Sequence, residues 1–111
     1  MKLVNLEAGK PSVPLALSTL NDALQGARSE SIALIKVIHG YGSSGEGGAI
    51  RLAVQAELAQ RVTTGEIRVF IAGEDWRISD ERAWSVLQRF PDMKADHDLG
   101  RGNRGISIVV L

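Results

Sequence analysis

Apolar residues recur along the chain with two periods, and the switches between them mark out its elements. Leu3 and Asn5 alternate against Val4 and Leu6, which predicts a short strand over 2–6, broken by Glu7-Ala8-Gly9-Lys10-Pro11. Val13, Leu17, Leu20 and Leu24 follow at spacings of four, three and four, an apolar stripe on one helix face. Ser12 is placed to cap that helix, Pro14 falls in its first turn where a missing N–H costs little, and Gly26 is expected to end it. After the link Arg28-Ser29-Glu30, residues 32–38 are apolar on both faces apart from Lys36, as in a central strand. Ile50, Val54, Leu58 and Val62 then recur every four residues, filled in by Leu52 and Ala53, and predict a second amphipathic helix stopped by Thr63-Thr64-Gly65.

Residues 66–71 alternate, with Ile67, Val69 and Ile71 on one face, and predict a half-exposed strand near a sheet edge. Gly73-Glu74-Asp75-Trp76 reads as a turn. Ser79 or Asp80 caps a third helix over 79–90 that carries Ala83, Trp84, Leu87 and Phe90 and is terminated by Pro91. The polar, glycine-rich run that follows, up to Gly105, reads as a loop, and Ile106–Leu111 as a closing strand that needs sheet pairing to stay ordered. Strand, helix, strand with short joins is a βαβ unit, so the first two strands should run parallel with a right-handed crossover. The class is α/β, in one domain over 1–111 without internal repeats.

Composition narrows the function. There is no cysteine, which removes disulfides, thiolate chemistry and sulfur-ligated metal sites together. No apolar run approaches the ~18 residues of a membrane span, and the first residues do not form a signal peptide, so a soluble cytoplasmic protein is expected. Thirteen basic residues balance thirteen acidic ones, which argues against a strong nonspecific nucleic-acid binder and leaves room for a local basic patch.

The candidate chemistry gathers around the loop His39-Gly40-Tyr41-Gly42-Ser43-Ser44-Gly45-Glu46-Gly47-Gly48, between a predicted strand and a predicted helix. Glycines let backbone N–H groups converge on a ligand, and the dipole of the following helix favours an anion such as a phosphate there. Arg51, in the helix's first turn, is placed to reach the same anion, and His39 sits at the carboxyl end of its strand, where open α/β sheets bind ligands. Its imidazole suits acid–base work, or alternatively holds the loop backbone in shape. Residues 40–45 also match G-x-G-x-x-G, with Glu74 or Asp75 after the next strand, but too little chain follows for a dinucleotide fold, and no Lys-Ser/Thr pair completes a Walker loop. Asp96-His97-Asp98 has metal-like composition without the spacing of a metal site, so neither metal nor cofactor is expected. Arg101, Asn103 and Arg104, on a glycine-rich loop entering the last strand, suit contacts to phosphate oxygens. Trp76 and Trp84 read as packing for the third helix.

Residues 35–42, IKVIHGYG, the glycines up to Gly48 and the pair Ile50-Arg51 resemble the small-MutS-related (Smr) domain. Its signature there is an apolar strand ending in His-Gly-x-Gly, more glycines, then Leu-Arg or a similar pair. Residues 102–111 are similar to that family's glycine-rich lead into its last strand. The resemblance implies a two-layer α/β sandwich, a βαβαββ-type mixed four-stranded sheet, here with an additional helix (79–90) and loop (91–105) before the last strand. It also implies nucleic-acid binding, with nicking or endonuclease activity in some members, in DNA repair or RNA processing. The family's first strand usually carries Leu-Asp-Leu-His-Gly, whose Asp and His are implicated in cleavage. Here Asn5 stands where the Asp would be and Glu7 where the His would be. An amide cannot act as a general base and a carboxylate is an imperfect replacement for an imidazole.

The favoured reading is a monomeric binding module that holds DNA or RNA backbone on His39, Gly40, Gly42, Ser43, Ser44, Gly45, Gly47, Arg51, Arg101, Asn103 and Arg104, with weak or no cleavage. The alternatives are a nicking endonuclease using His39 with Glu7, and a protein-interaction domain with a decayed site. The binding reading requires Arg101 and Arg104 to fold back beside His39.

Overall fold

A computed structural model describes residues 1–41 and 47–111. Its elements run β1 (Lys2–Asn5), α1 (Val13–Ser29), β2 (Leu34–Ile38), α2 (Gly47–Thr63), β3 (Val69–Ala72), α3 (Glu81–Arg89) and β4 (Ile106–Val110), with 3-10 turns at Gly73–Asp75 and Pro91–Ala95. The four strands form one mixed sheet in the order β1-β2-β4-β3. β1 and β2 are parallel, as a right-handed βαβ unit requires, and β4 runs antiparallel to both β2 and β3. The alternation in 66–71 therefore does mark an edge strand, and the closing strand is central, with all of Ile106–Val110 buried.

Period-two side-chain placement divides the sheet into two faces. Ile35 and Val37 of β2, Val4 of β1 and Val109 of β4 pack with Leu20, Leu24, Val54 and Leu58 of α1 and α2. Leu34 of β2, Ile71 of β3 and Ile106, Ile108 and Val110 of β4 face the other way and pack with Trp76, Ala83, Val86, Leu87 and Met93. The larger sandwich is thus sheet on α1 and α2, and α3 with the 3-10 turns backs the opposite face as a smaller third layer. Each fully buried leucine of the first layer contributes about 1.5–3 kcal/mol over leaving it exposed.

Several boundaries differ from the pattern, each for a physical reason. Helix α1 runs past Gly26 to Ser29, because Ala27 is a core position, and Ser31 at φ 58° makes the turn instead. Strand β3 begins only at Val69, and Ile67 packs with α1 and α2 from the loop before it, on the face opposite Ile71. The stripe on α2 fades at Val62, because a four-residue spacing advances about 40° beyond a full turn at each step and rotates off the buried face. Leu52 is exposed because two residues from Ile50 is about 200° around the helix, on the face away from the sheet. In α3, Asp80 is the cap, accepting from the Arg82 and Ala83 N–H groups, and Val86 rather than Trp84 faces the core. Trp84 is about half exposed, so its assignment as packing fails. The expected loop 91–105 opens with a 3-10 turn that buries Met93.

Candidate nucleic-acid interface

The carboxyl ends of β1 and β2, the amino end of β4 and the start of α2 meet at one end of the sheet. His39 follows β2 with the same facing as Ile35 and Val37 and is essentially fully buried, 1% exposed. Its Nδ1 lies 2.7 Å from the Gly40 carbonyl oxygen, which can only accept, so Nδ1 carries the proton. Nε2, 2.9 Å from Ser107 Oγ, then accepts from that hydroxyl, and the Gln55 amide of α2 donates to Ser107 Oγ at 3.5 Å. Burial lowers the imidazole's pKa below its ordinary value, against the Gly40 hydrogen bond and with the Arg51 charge. The ring is therefore neutral at physiological pH, with both nitrogens engaged. Of the two roles open to His39 in sequence, this geometry is that of the group that holds the loop.

The same segment is tied to the entry of β4. The Gly105 carbonyl accepts from the His39 N–H at 2.9 Å and from the Gly40 N–H at 3.0 Å. Gly40 has φ 71°, a conformation that glycine adopts without strain, and the Glu7 carboxylate lies where a side chain at 40 would project. Asn5 accepts from the Glu7 and Ala8 N–H groups at 2.9 and 3.1 Å, so its amide shapes the turn that brings Glu7 over Gly40. Arg51 reaches Glu74 at 3.1 Å, and Asp75 pairs with Arg82. Both acidic residues after β3 are thus engaged with arginines. Arg51 Nε and Glu74 Oε1 are buried without a hydrogen-bond partner among the described residues. Gly42, Ser43, Ser44 and Gly45 lie outside the described residues, and Gly47 opens α2.

A second polar cluster, on the α3 face, sets the shape of the basic loop. Lys36, the lone charge in β2, is buried and paired with Asp96 at 3.0 Å and with Asp98. Asp96 also accepts from the Trp76 indole at 3.0 Å and from the Asp98 N–H at 3.2 Å. Asn103 donates to Asp98 at 2.8 Å and accepts from the Gly105 N–H at 2.8 Å. Its amide is engaged at both ends and braces the loop between Asp98 and Gly105. Burial opposes the charge on Asp98, but the hydrogen bonds from Asn103 and Lys36 outweigh it and hold the carboxyl below its ordinary range. Burial likewise opposes the Lys36 charge and is outweighed by the two aspartates, which raise its pKa. The metal-like composition of 96–98 is thus satisfied by an ammonium, and no group of three His, Cys, Asp or Glu among the described residues could hold a metal ion.

Arg104 precedes Gly105 and is exposed, so it stands beside the His39–Gly40 backbone. Arg101 is exposed further along the loop, at a turn whose Gly100 N–H donates to the Trp76 carbonyl. Helix α3 backs the opposite face of the sheet and does not cover His39, which shares the Ser107 hydroxyl with Gln55 of α2. Lys36, Ser107 and Gln55 carry none of the sequence motifs. The available signals were a lysine and a serine, each alone in an otherwise apolar strand.

The mixed four-stranded sheet with α1 and α2 on one face is the fold of an Smr domain. Among solved structures, the crystal structure of the Smr domain of Thermus thermophilus MutS2 is similar, with a TM-score of 0.62 over 100% of this chain and 98% of that one, at 22% identity. No protein-family model and no curated protein matches the sequence. No helix among the described residues is long and apolar enough to cross a membrane.

Proposed function

We propose that this chain binds the phosphate backbone of nucleic acid at the β2–α2 end of the sheet, and that it holds the strand rather than cutting it. The carrying observation is the Gly105 carbonyl, which joins the His39 and Gly40 N–H groups and so brings the Arg101–Arg104 loop to the turn that leads into α2. Arg104, exposed and one residue from that carbonyl, suits phosphate oxygens. The Smr fold supports the same reading. His39, neutral and buried with both nitrogens in use, is poorly disposed to move a proton for a bound phosphodiester.

A nicking endonuclease is the second reading, favoured by one feature: the Glu7 carboxylate over Gly40, at the mouth of the same site. Supercoiled plasmid and a labelled RNA incubated with wild type and Glu7→Gln, with and without magnesium, separate the two. Glu7 is exposed, so the variant is expected to fold. The expected result is binding without cleavage by either protein. Cleavage by wild type that disappears in Glu7→Gln would establish the nuclease instead.

A further inference from the structure

Tyr41 is the aromatic residue that stands at this end of the sheet with its side chain in solvent, 57% exposed. Trp76 is fully buried beneath α3, and Trp84 belongs to α3, on the other side of the sheet. The position of Tyr41 is fixed from two sides. Gly40, at φ 71°, turns the chain immediately before it. Gly105 lies against it, with ring atom Cδ1 3.6 Å from the point a side chain at 105 would occupy. The ring therefore stands beside Gly105 and the loop that carries Arg104.

An exposed aromatic face next to a backbone-binding site has no use for an intact duplex, whose bases are already stacked on one another. It does suit an unpaired base, because every base presents a π-face to a flat ring and a neighbouring guanidinium can hold its phosphate. Resting on the backbone-binding reading above, we infer that Tyr41 is a stacking platform for an unpaired base, which makes single-stranded or locally unpaired nucleic acid the preferred ligand. The contribution is tolerant of sequence, since stacking reads no hydrogen-bond pattern.

The test compares the affinities of wild type, Tyr41→Ala, Tyr41→Phe and Arg104→Ala for a short single strand and for a blunt duplex of the same length. Stacking on one aromatic ring is worth about 5- to 150-fold in affinity. Tyr41→Ala is expected to lose that factor on the single strand and to change duplex binding by less than about twofold, while Tyr41→Phe restores single-strand binding. Equal loss on both ligands, no loss on either, or failure of phenylalanine to rescue would overturn the stacking role. Arg104→Ala is expected to weaken both ligands. If it does so while Tyr41→Ala changes nothing, the backbone site stands and the platform falls. If wild type binds neither ligand, both readings fall.

Discussion

Replacing Lys36 with methionine is expected to lower the unfolding free energy by about 3–5 kcal/mol at neutral pH, the cost of leaving buried charges without their partner. The substitution keeps the apolar stem and removes the ammonium, so Asp96 and Asp98 would face each other beneath the sheet with no cation between them. Set against a total of roughly 5–15 kcal/mol for an ordinary domain, that loss brings the chain near the edge of folding. The loss should depend on pH in a defined direction. In wild type the Asp98 pKa is depressed, so its stabilisation is complete above the unfolded value near ~3.9 and fades as the pH falls through the lower folded value. The Lys36 pKa is raised, so its share is complete below the unfolded value near ~10.4 and fades as the pH rises through the higher folded value. Wild type should therefore show a stability plateau between these limits. In Lys36→Met the carboxylates lack their cation, and the gap between the two proteins should close as the pH falls through the carboxylate range and protonation removes their charge. Urea unfolding across pH checks this, with Lys36→Met/Asp96→Asn/Asp98→Asn as the charge-free control that should recover much of the loss. A Lys36→Met variant as stable as wild type at pH 7 would mean that the cluster does not hold the loop.

Gly73→Ala is the other substitution with a large expected effect, and it acts through the backbone. A methyl group there would fall 1.8 Å from the Asn103 carbonyl oxygen and 2.6 Å from that of Ile106. Both are main-chain atoms at the root of the basic loop and of β4, so neither can swing aside as a flexible side chain would. The loop must lift, and with it the Gly105 carbonyl that His39 and Gly40 share. Overpacking of this kind costs about 1–3 kcal/mol, which in a chain of this length lowers the melting temperature by roughly 5–20 °C. Because the loop carries Arg101 and Arg104, nucleic-acid affinity should fall as well, even at temperatures where the variant is folded. Calorimetry and binding on the same preparation test both halves. A variant with unchanged melting temperature would place the loop elsewhere than beside β3.

How much of this was legible in the sequence depends on the range of the interaction concerned. Periodicity located β1, α1, β2, α2 and β4 because each buries one face or two, and a buried face imposes its spacing on the residues. The period also carried His39 onto the face of Ile35 and Val37, so its burial follows from counting. Trp84 misled because α3 has nine residues, too few turns for the stripe 83-84-87-90 to be told from 83-86-87-90. Ile67 misled because an apolar residue two positions before a strand continues its alternation whether or not the backbone is extended. The partners of Lys36 lie sixty residues downstream, and no local pattern announces them. The role of Asn103 was hidden for the same reason. An asparagine between arginines on a glycine-rich loop resembles a ligand contact, and only the fold puts Asp98 and the Gly105 N–H within its reach.

The salt dependence of binding bears most directly on the central proposal, that the loop ending at Gly105 offers its arginines to phosphate. Association constants of wild type and Arg104→Ala for duplex DNA, measured across a range of potassium chloride, give the number of phosphates engaged from the slope of log K against log salt, about −0.9 per contact. The proposal predicts a negative slope for wild type that becomes shallower by about one contact in Arg104→Ala, with affinity falling equally on unrelated sequences. A flat response, or an Arg104→Ala protein indistinguishable from wild type, would contradict it.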